Sequence, residues 1–269
     1  MLCDGKLVSI AVVVLTYNRV HLLRQCCENV LTRTSPHTSE ILIWDNGSTD
    51  STGSYLDSLT DTRMRVVHHS QNIGQNAYAE GFKLTTAPYL IELDDDVIDA
   101  PARWDEVLLS AFRRLPEVGF LAADLVDNPR DIASHIRHHV RPHLYRPVEQ
   151  NGVRLLDGPT GGGCAMTSRE LYDLVGGFPQ DRQRTFYLED AAYIERIEKR
   201  GYRAAVLRDL HVTHAGGPSY APNTPDKEAY WAGVERDERR RNAVKKVLLA
   251  LPLVRRLNLR FRWFHEPAA

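Results

Sequence analysis

The chain has 269 residues, a formal net charge of −1, 43% hydrophobic and 26% charged residues. That length allows one large domain with a sizeable core, and the balanced charge excludes the global basic signature of a nucleic-acid binder, so no nucleic-acid partner is expected. Four cysteines, Cys3, Cys26, Cys27 and Cys164, show no C-x-x-C spacing, which argues for reduced thiols and against structural zinc.

No stretch approaches the ~18 consecutive apolar residues of a membrane span. The apolar start lacks a basic leader and a small-residue cleavage site, so the sequence reads as cytoplasmic. Residues 7–15 are nearly all apolar and β-branched, the pattern of a central strand covered on both faces. The run ends in Thr16-Tyr17-Asn18-Arg19, and a helix is predicted over residues 20–31. A second short strand over residues 40–44 closes at Asp45-Asn46-Gly47-Ser48-Thr49-Asp50, both a turn and a helix start, with Ser48, Thr49 or Asp50 as caps. A third strand, residues 64–68, leads through Gln71-Asn72-Ile73-Gly74-Gln75-Asn76 into a helix ending near residue 84.

The fourth strand, residues 89–93, runs straight into Asp94-Asp95-Asp96. Three adjacent carboxylates repel, and at a strand end they need a neutralising partner. A hard divalent cation takes oxygen ligands and shares them with a substrate phosphate; the alternative is a solvated acidic turn. In an extended segment Asp94 and Asp96 face one way and Asp95 the other. Four strand–loop–helix units in succession predict an α/β fold with a mostly parallel sheet flanked by helices. Ligands bind such sheets at the carboxyl ends of the strands. The polar loops at residues 16–19, 45–50, 70–76 and 94–96 all fall on that edge.

A helix over residues 102–115 and a strand over 119–124 follow, and the regular alternation then stops. Residues 125–160 are rich in Arg, His, Pro and Asp, with a strand at 153–156; a long irregular insertion of this kind usually covers or shapes a site. Gly161-Gly162-Gly163 leads into residues 164–167 and a helix over 169–175, ended by Gly176-Gly177. Glu189-Asp190 opens another helix that runs to residue 200 and is closed by Gly201. A strand over 203–207 precedes His211 and His214, and residues 226–251 are helical and charged. The histidines at 135, 139 and 143 have helical spacing broken by Pro142; a basic flap is favoured over a second metal site. Arg255, Arg256, Arg260 and Arg262, interleaved with apolar residues, suit either packing on the domain, which is favoured, or peripheral contact with an anionic membrane surface.

The ordered set TYNR, DNGSTD, QNIGQN, LDDDV, GGGCAM, GGF, FYLED and a late histidine resembles family 2 glycosyltransferases of the GT-A (Rossmann-like) fold, over about residues 7–217. The resemblance implies a catalytic domain over residues 1–220, and residues 221–269, helical and basic in pattern, read as an extension to it. Within the domain, a nucleotide-sugar donor half spans about residues 1–124 and an acceptor half 125–220. It implies transfer, with inversion, of a sugar from a UDP-, GDP- or dTDP-linked nucleotide-diphospho sugar to a glycan, lipid-linked or small-molecule acceptor, with Mg²⁺ or Mn²⁺ as cofactor. Thr16, Tyr17, Arg19, Asp45, Asn72, Gly74, Asp94 and Asp95 match the nucleotide-binding positions. Asp96, Asp94 and His214 match the metal ligands, with His211 competing for the histidine role. Asp190 matches the general base, with Glu189 second, and Gly161, Gly162 and Gly163 match the acceptor loop. Two departures stand out: the 70–78 loop lacks the family's arginine, and Ala192 replaces an acid two residues after the Glu189-Asp190 pair. Alternatives are a sugar-1-phosphate nucleotidyltransferase, whose glycine-rich basic first loop is missing here, and a non-catalytic nucleotide- or glycan-binding protein.

Overall fold

The β-branched run near the N-terminus forms strand β1 (Ile10–Thr16), in which Ile10 to Val14 are almost completely buried, as a strand with helices on both faces must be. This computed structural model describes residues 2–3, 6–127, 142–181, 186, 188–215 and a set of positions between 232 and 254. The chain divides into two compact units, Met1–Tyr220 and Ala221–Ala269. The described positions of the second unit from 232 to 250 are helical. The tail arginines and His135 and His139 lie outside the described residues.

In the first unit, β1 is followed by helix α1 (Val20–Arg33), β2 (Thr38–Asp45), the short α2 (Thr52–Asp57), β3 (Met64–His68), α3 (Asn76–Lys83) and β4 (Tyr89–Asp94). β1 pairs in parallel with both β2 and β4, and β2 with β3. Each connection is a crossover, which places the four loops at one edge. α3 lies very close on β1: a Cβ at Gly81 would stand 2.8 Å from Val13 Cγ1, so only glycine fits.

The chain continues with β5 (Val97–Asp99), α4 (Trp104–Arg113), β6 (Val118–Asp127), β7 (Arg146–Gln150), β8 (Val153–Asp157), β9 (Cys164–Ser168), α5 (Arg169–Leu174), α6 (Glu189–Glu198) and β10 (Arg203–His214). The sheet has ten strands in the order β3-β2-β1-β4-β9-β6-β10-β8-β7, with β5 pairing onto β10. It is parallel through β4 and mixed beyond it. β9 enters antiparallel between β4 and β6, because the chain returns from the insertion through the 161–163 turn and must run away from the loop edge. The insertion is more regular than its composition predicts, since β7 and β8 form an antiparallel hairpin. β10 also runs past residue 207 to His214, with a register shift between Leu207 and His211.

Candidate active site

Strand registry gathers the acidic turn, the glycine turn and the late histidine. The Asp94 N–H donates to Gly163 O at 2.8 Å, and Ala215 N–H donates to Asp96 O at 2.8 Å. His214 pairs opposite Val97 in the β5–β10 ladder. One ligand atom from each of Asp94, Asp96 and His214 lies within 4.8 Å of the others. His214 Nε2 is 3.0 Å from Asp96 Oδ1 and 3.6 Å from Asp94 Oδ2. His211 sits elsewhere: its Nδ1 contacts Asp124 Oδ2 at 2.9 Å and its side chain is largely exposed.

Asp95 and Asp96 are fully buried. Arg19 binds Asp95, with Nε donating to Oδ2 at 3.3 Å, and its Nη1 reaches Asp96 Oδ2 at 3.3 Å. Burial on its own would push the Asp96 carboxyl up; Arg19 and His214 outweigh it and hold Asp96 below the ordinary carboxylate value. Asp94 is the partly open acid. Its Oδ1 accepts from the Tyr78 hydroxyl at 2.9 Å, and the same hydroxyl reaches Leu93 O at 3.1 Å. Asp96 Oδ1 is buried and faces His214 Nε2. Two carboxylates and an imidazole gathered this closely suit a divalent cation with oxygen and nitrogen ligands.

The loops at the ends of β1, β2 and β3 lock onto one another. Asn18, in a left-handed conformation at φ 53°, accepts the Thr49 N–H at 2.7 Å and donates its own N–H to Ser48 Oγ at 2.9 Å. Asp45 is buried; Oδ1 accepts the Ser48 N–H at 2.9 Å and Oδ2 meets His68 Nδ1 at 3.1 Å. Asp45 thus closes the turn after β2, and Asp50, one of the expected caps, accepts the Thr52 N–H at the start of α2. Asn46 Nδ2 donates to Asn72 Oδ1 at 2.8 Å and to Gly74 O at 3.2 Å, and Gly74 has φ 60°. Thr16 is buried and Tyr17 half-buried beside these loops.

Asp190 and Glu189 open α6 and are both buried. Asp190 Oδ2 accepts the Gly162 N–H at 2.7 Å and Oδ1 accepts the Ala191 N–H at 2.6 Å. Burial, then the charge of Asp190, then Glu92, push the Glu189 carboxyl well up. Gly161, Gly162 and Gly163 are buried; Gly163 has φ 86°, so local packing alone requires glycine there. Tyr187 lies outside the described residues.

The motifs do not single out Glu92, Tyr78, Asn18 or Asn46. Glu92 had a legible signal, a lone acid inside the apolar run Leu90-Ile91-Glu92-Leu93. For Tyr78 the hint is its place on the α3 face toward β4. The two asparagines sit in turns, where side-chain bonding to backbone is their usual work.

Residues 11–176, more than half of the chain, match the family "Glycosyl transferase family 2". The chain belongs to glycosyl transferase family 2. Glycosyltransferase GlyG of Streptococcus pneumoniae serotype 4 (strain ATCC BAA-334 / TIGR4) is 37% identical over 93 residues, spanning 33% of this chain and 30% of that one. The fold is that of GT-A glycosyltransferases. Mannosyltransferase PcManGT from Pyrobaculum calidifontis, in complex with GDP-Man and Mn²⁺, aligns at TM-score 0.54 and 24% identity, covering 78% of this chain and 57% of that one. GalNAc-T7 with UDP, GalNAc and Mn²⁺ aligns at TM-score 0.58 and 16% identity, covering 79% and 44%. S. aureus TarS residues 1–349 with UDP-GlcNAc aligns at TM-score 0.54 and 17% identity, covering 80% and 61%. The chain thus spans less than two thirds of each of these relatives.

Proposed function

We propose that this family 2 chain transfers a sugar from a nucleotide-diphospho sugar to an acceptor hydroxyl, with a divalent cation and with inversion at the anomeric carbon. The observation that carries this reading is the convergence of Asp94, Asp96 and His214 within 4.8 Å, beside a buried Asp190 aimed by two backbone N–H groups. Structural relatives bound to GDP-Man or UDP together with Mn²⁺ support the same class of donor and metal.

Asp94, Asp96 and His214 are the residues that would hold Mg²⁺ or Mn²⁺. Such an ion supplies positive charge to the departing nucleoside diphosphate. Arg19, already against Asp95 and Asp96, keeps the buried acids compensated and lies close enough to add charge near the diphosphate. Thr16, Tyr17 and Asp45 line the position for the nucleobase, and the interlocked Asn72–Gly74 turn lies along the nucleotide. Asp190 takes the proton of the acceptor hydroxyl as that oxygen bonds to the anomeric carbon and the bond to the diphosphate oxygen breaks. Its two N–H donors fix its direction. Glu189, pushed up by burial and by Asp190, suits the base role less well. The acceptor approaches the turn Gly161 to Gly163, whose residues carry no side chains of their own.

The test is a panel of UDP-, GDP- and dTDP-sugars with Mn²⁺, reading nucleoside diphosphate release with the protein and with Asp190→Asn. Release from one donor class is expected, falling by ~10²–10⁴-fold in Asp190→Asn, the usual contribution of a general base. Nucleotide binding without release from any donor would make the chain a binding protein instead.

A further inference from the structure

Glu92 lies in the middle of β4, between Ile91 and Leu93, and is only 2% exposed. A buried carboxyl needs compensation. Asp105 shows the ordinary solution in this same fold: it accepts from Ser35 N, Ser35 Oγ and Thr38 Oγ1 at 2.7–2.8 Å. Glu92 is different. Among the described residues it forms no ion pair, and its Oε2 is buried with no hydrogen-bond donor. Stability does not explain an acid in this place, because an apolar residue there would continue the core that Leu90, Ile91 and Leu93 already form.

What Glu92 does touch is the glycine turn. A Cβ at Gly162 would stand 2.1 Å from Glu92 Oε1, so the carboxyl packs directly on the Gly162 backbone, and Gly163 directs a backbone hydrogen bond at it. In the β4–β9 ladder Glu92 is opposite Ala165, just past that turn. The same turn does two further things. Gly162 N–H donates to Asp190 Oδ2 at 2.7 Å, and Gly163 O accepts the Asp94 N–H at 2.8 Å. One three-residue turn therefore links the acid at the strand end to the acid at the start of α6, and Glu92 is the side chain beneath it.

We propose that Glu92 is a positioning residue for sugar transfer: by holding the Gly162–Gly163 turn it sets the placement of Asp190 relative to Asp94. This rests on the reading of Asp190 as general base. The prediction separates chemistry from binding. Loss of Glu92 lets the turn and Asp190 shift while Asp96, His214 and the nucleotide loops, held by other contacts, keep their places. Misplacement of a reacting group by ~1 Å costs about 10²-fold in rate.

The experiment measures kcat, the KM for donor and acceptor, and calorimetric nucleoside diphosphate affinity with Mn²⁺, in the full chain and in Glu92→Ala, Glu92→Gln and Gly162→Ala. In Glu92→Ala, kcat is expected to fall by about 10-fold to 100-fold, with nucleotide affinity within about twofold of the unaltered chain. Glu92→Gln keeps an oxygen for the Gly163 N–H and restores most of the lost kcat. Gly162→Ala, which leaves Glu92 in place but forces a Cβ against it, reproduces the kcat loss and carries the test if Glu92→Ala does not fold. An unchanged kcat in the folded variants overturns the proposal. So does a loss of kcat matched by an equal loss of nucleotide affinity, or the absence of rescue by Gln. If the unaltered chain transfers no sugar from any donor, the reading of Asp190 falls first and this proposal with it.

Discussion

His214 Nε2 stands 3.0 Å from Asp96 Oδ1, joining the end of β10 to the turn after β4 although 118 positions separate the two residues in the sequence. The contact is made possible by β5, whose antiparallel pairing brings Val97 opposite His214. Replacing His214 by Ala should weaken Mn²⁺ binding at least about tenfold, since disturbing even an outer partner of a bound metal costs that much. Electron paramagnetic resonance of free Mn²⁺ against protein concentration measures it. Equal affinity in the two proteins would remove His214 from the ligand set, and the same loss in His211→Ala would assign the role to the wrong histidine.

Tyr78 holds Asp94 through its hydroxyl, buried beneath the strand end. Tyr78→Phe keeps the ring and removes one donor from two acceptors. Thermal or denaturant unfolding should show a loss of about 1 kcal/mol, and Mn²⁺-dependent nucleotide affinity should fall by a few fold. Retention of both values would mean that Asp94 is oriented by the backbone alone.

Gly47 has φ +80°, and a Cβ there would meet the Gln71 backbone carbon at 2.9 Å. Gly47→Ala forces the 45–50 and 70–76 loops apart and should cost about 1–3 kcal/mol of stability. Because neither loop supplies a member of the Asp94–Asp96–His214 set, nucleotide affinity should drop while Mn²⁺ binding in the absence of nucleotide is kept. A parallel loss of both would place the metal ligands and these loops in one mechanical unit.

His68 meets Asp45 through Nδ1 and Asp57 through Nε2, each at 3.1 Å. The Asp45 hydrogen bond foremost, with Asp57 adding to it, raises the His68 pKa above the ordinary histidine value. A raised folded-state value means that the stabilisation is complete below the ordinary value of about 6.5 and fades as pH rises through the raised one. Two-dimensional NMR of the imidazole should give a titration midpoint above the ordinary value, and Asp45→Asn should move it down. A midpoint that Asp45→Asn leaves in place would contradict the pairing.

The parallel half of the fold was legible because its strands are largely apolar runs ending in polar loops, most clearly in residues 10–16, so period and position agree. The antiparallel entry of β9 was not, because five residues, Cys164–Ser168, carry no mark of direction. At the site, Asp94 and Asp96 stood out as acids at a strand end, whereas Asp190 and His214 were marked only by the family resemblance, with Glu189 and His211 competing. Glu92 and Tyr78 did not, since their importance comes from what faces them across the sheet, Gly162 in one case and Asp94 in the other. The engagement of Asp95 by Arg19 was hidden for the same reason: 76 positions of chain intervene.

The most direct measurement is calorimetric titration of UDP, GDP and dTDP into the protein with Mn²⁺, after EDTA, and in Asp96→Asn. One nucleoside diphosphate should bind with Mn²⁺, and its affinity should fall at least about tenfold both after EDTA and in Asp96→Asn. Equal affinity with and without the metal, or no binding of any of the three, would contradict a donor held through Asp94, Asp96 and His214.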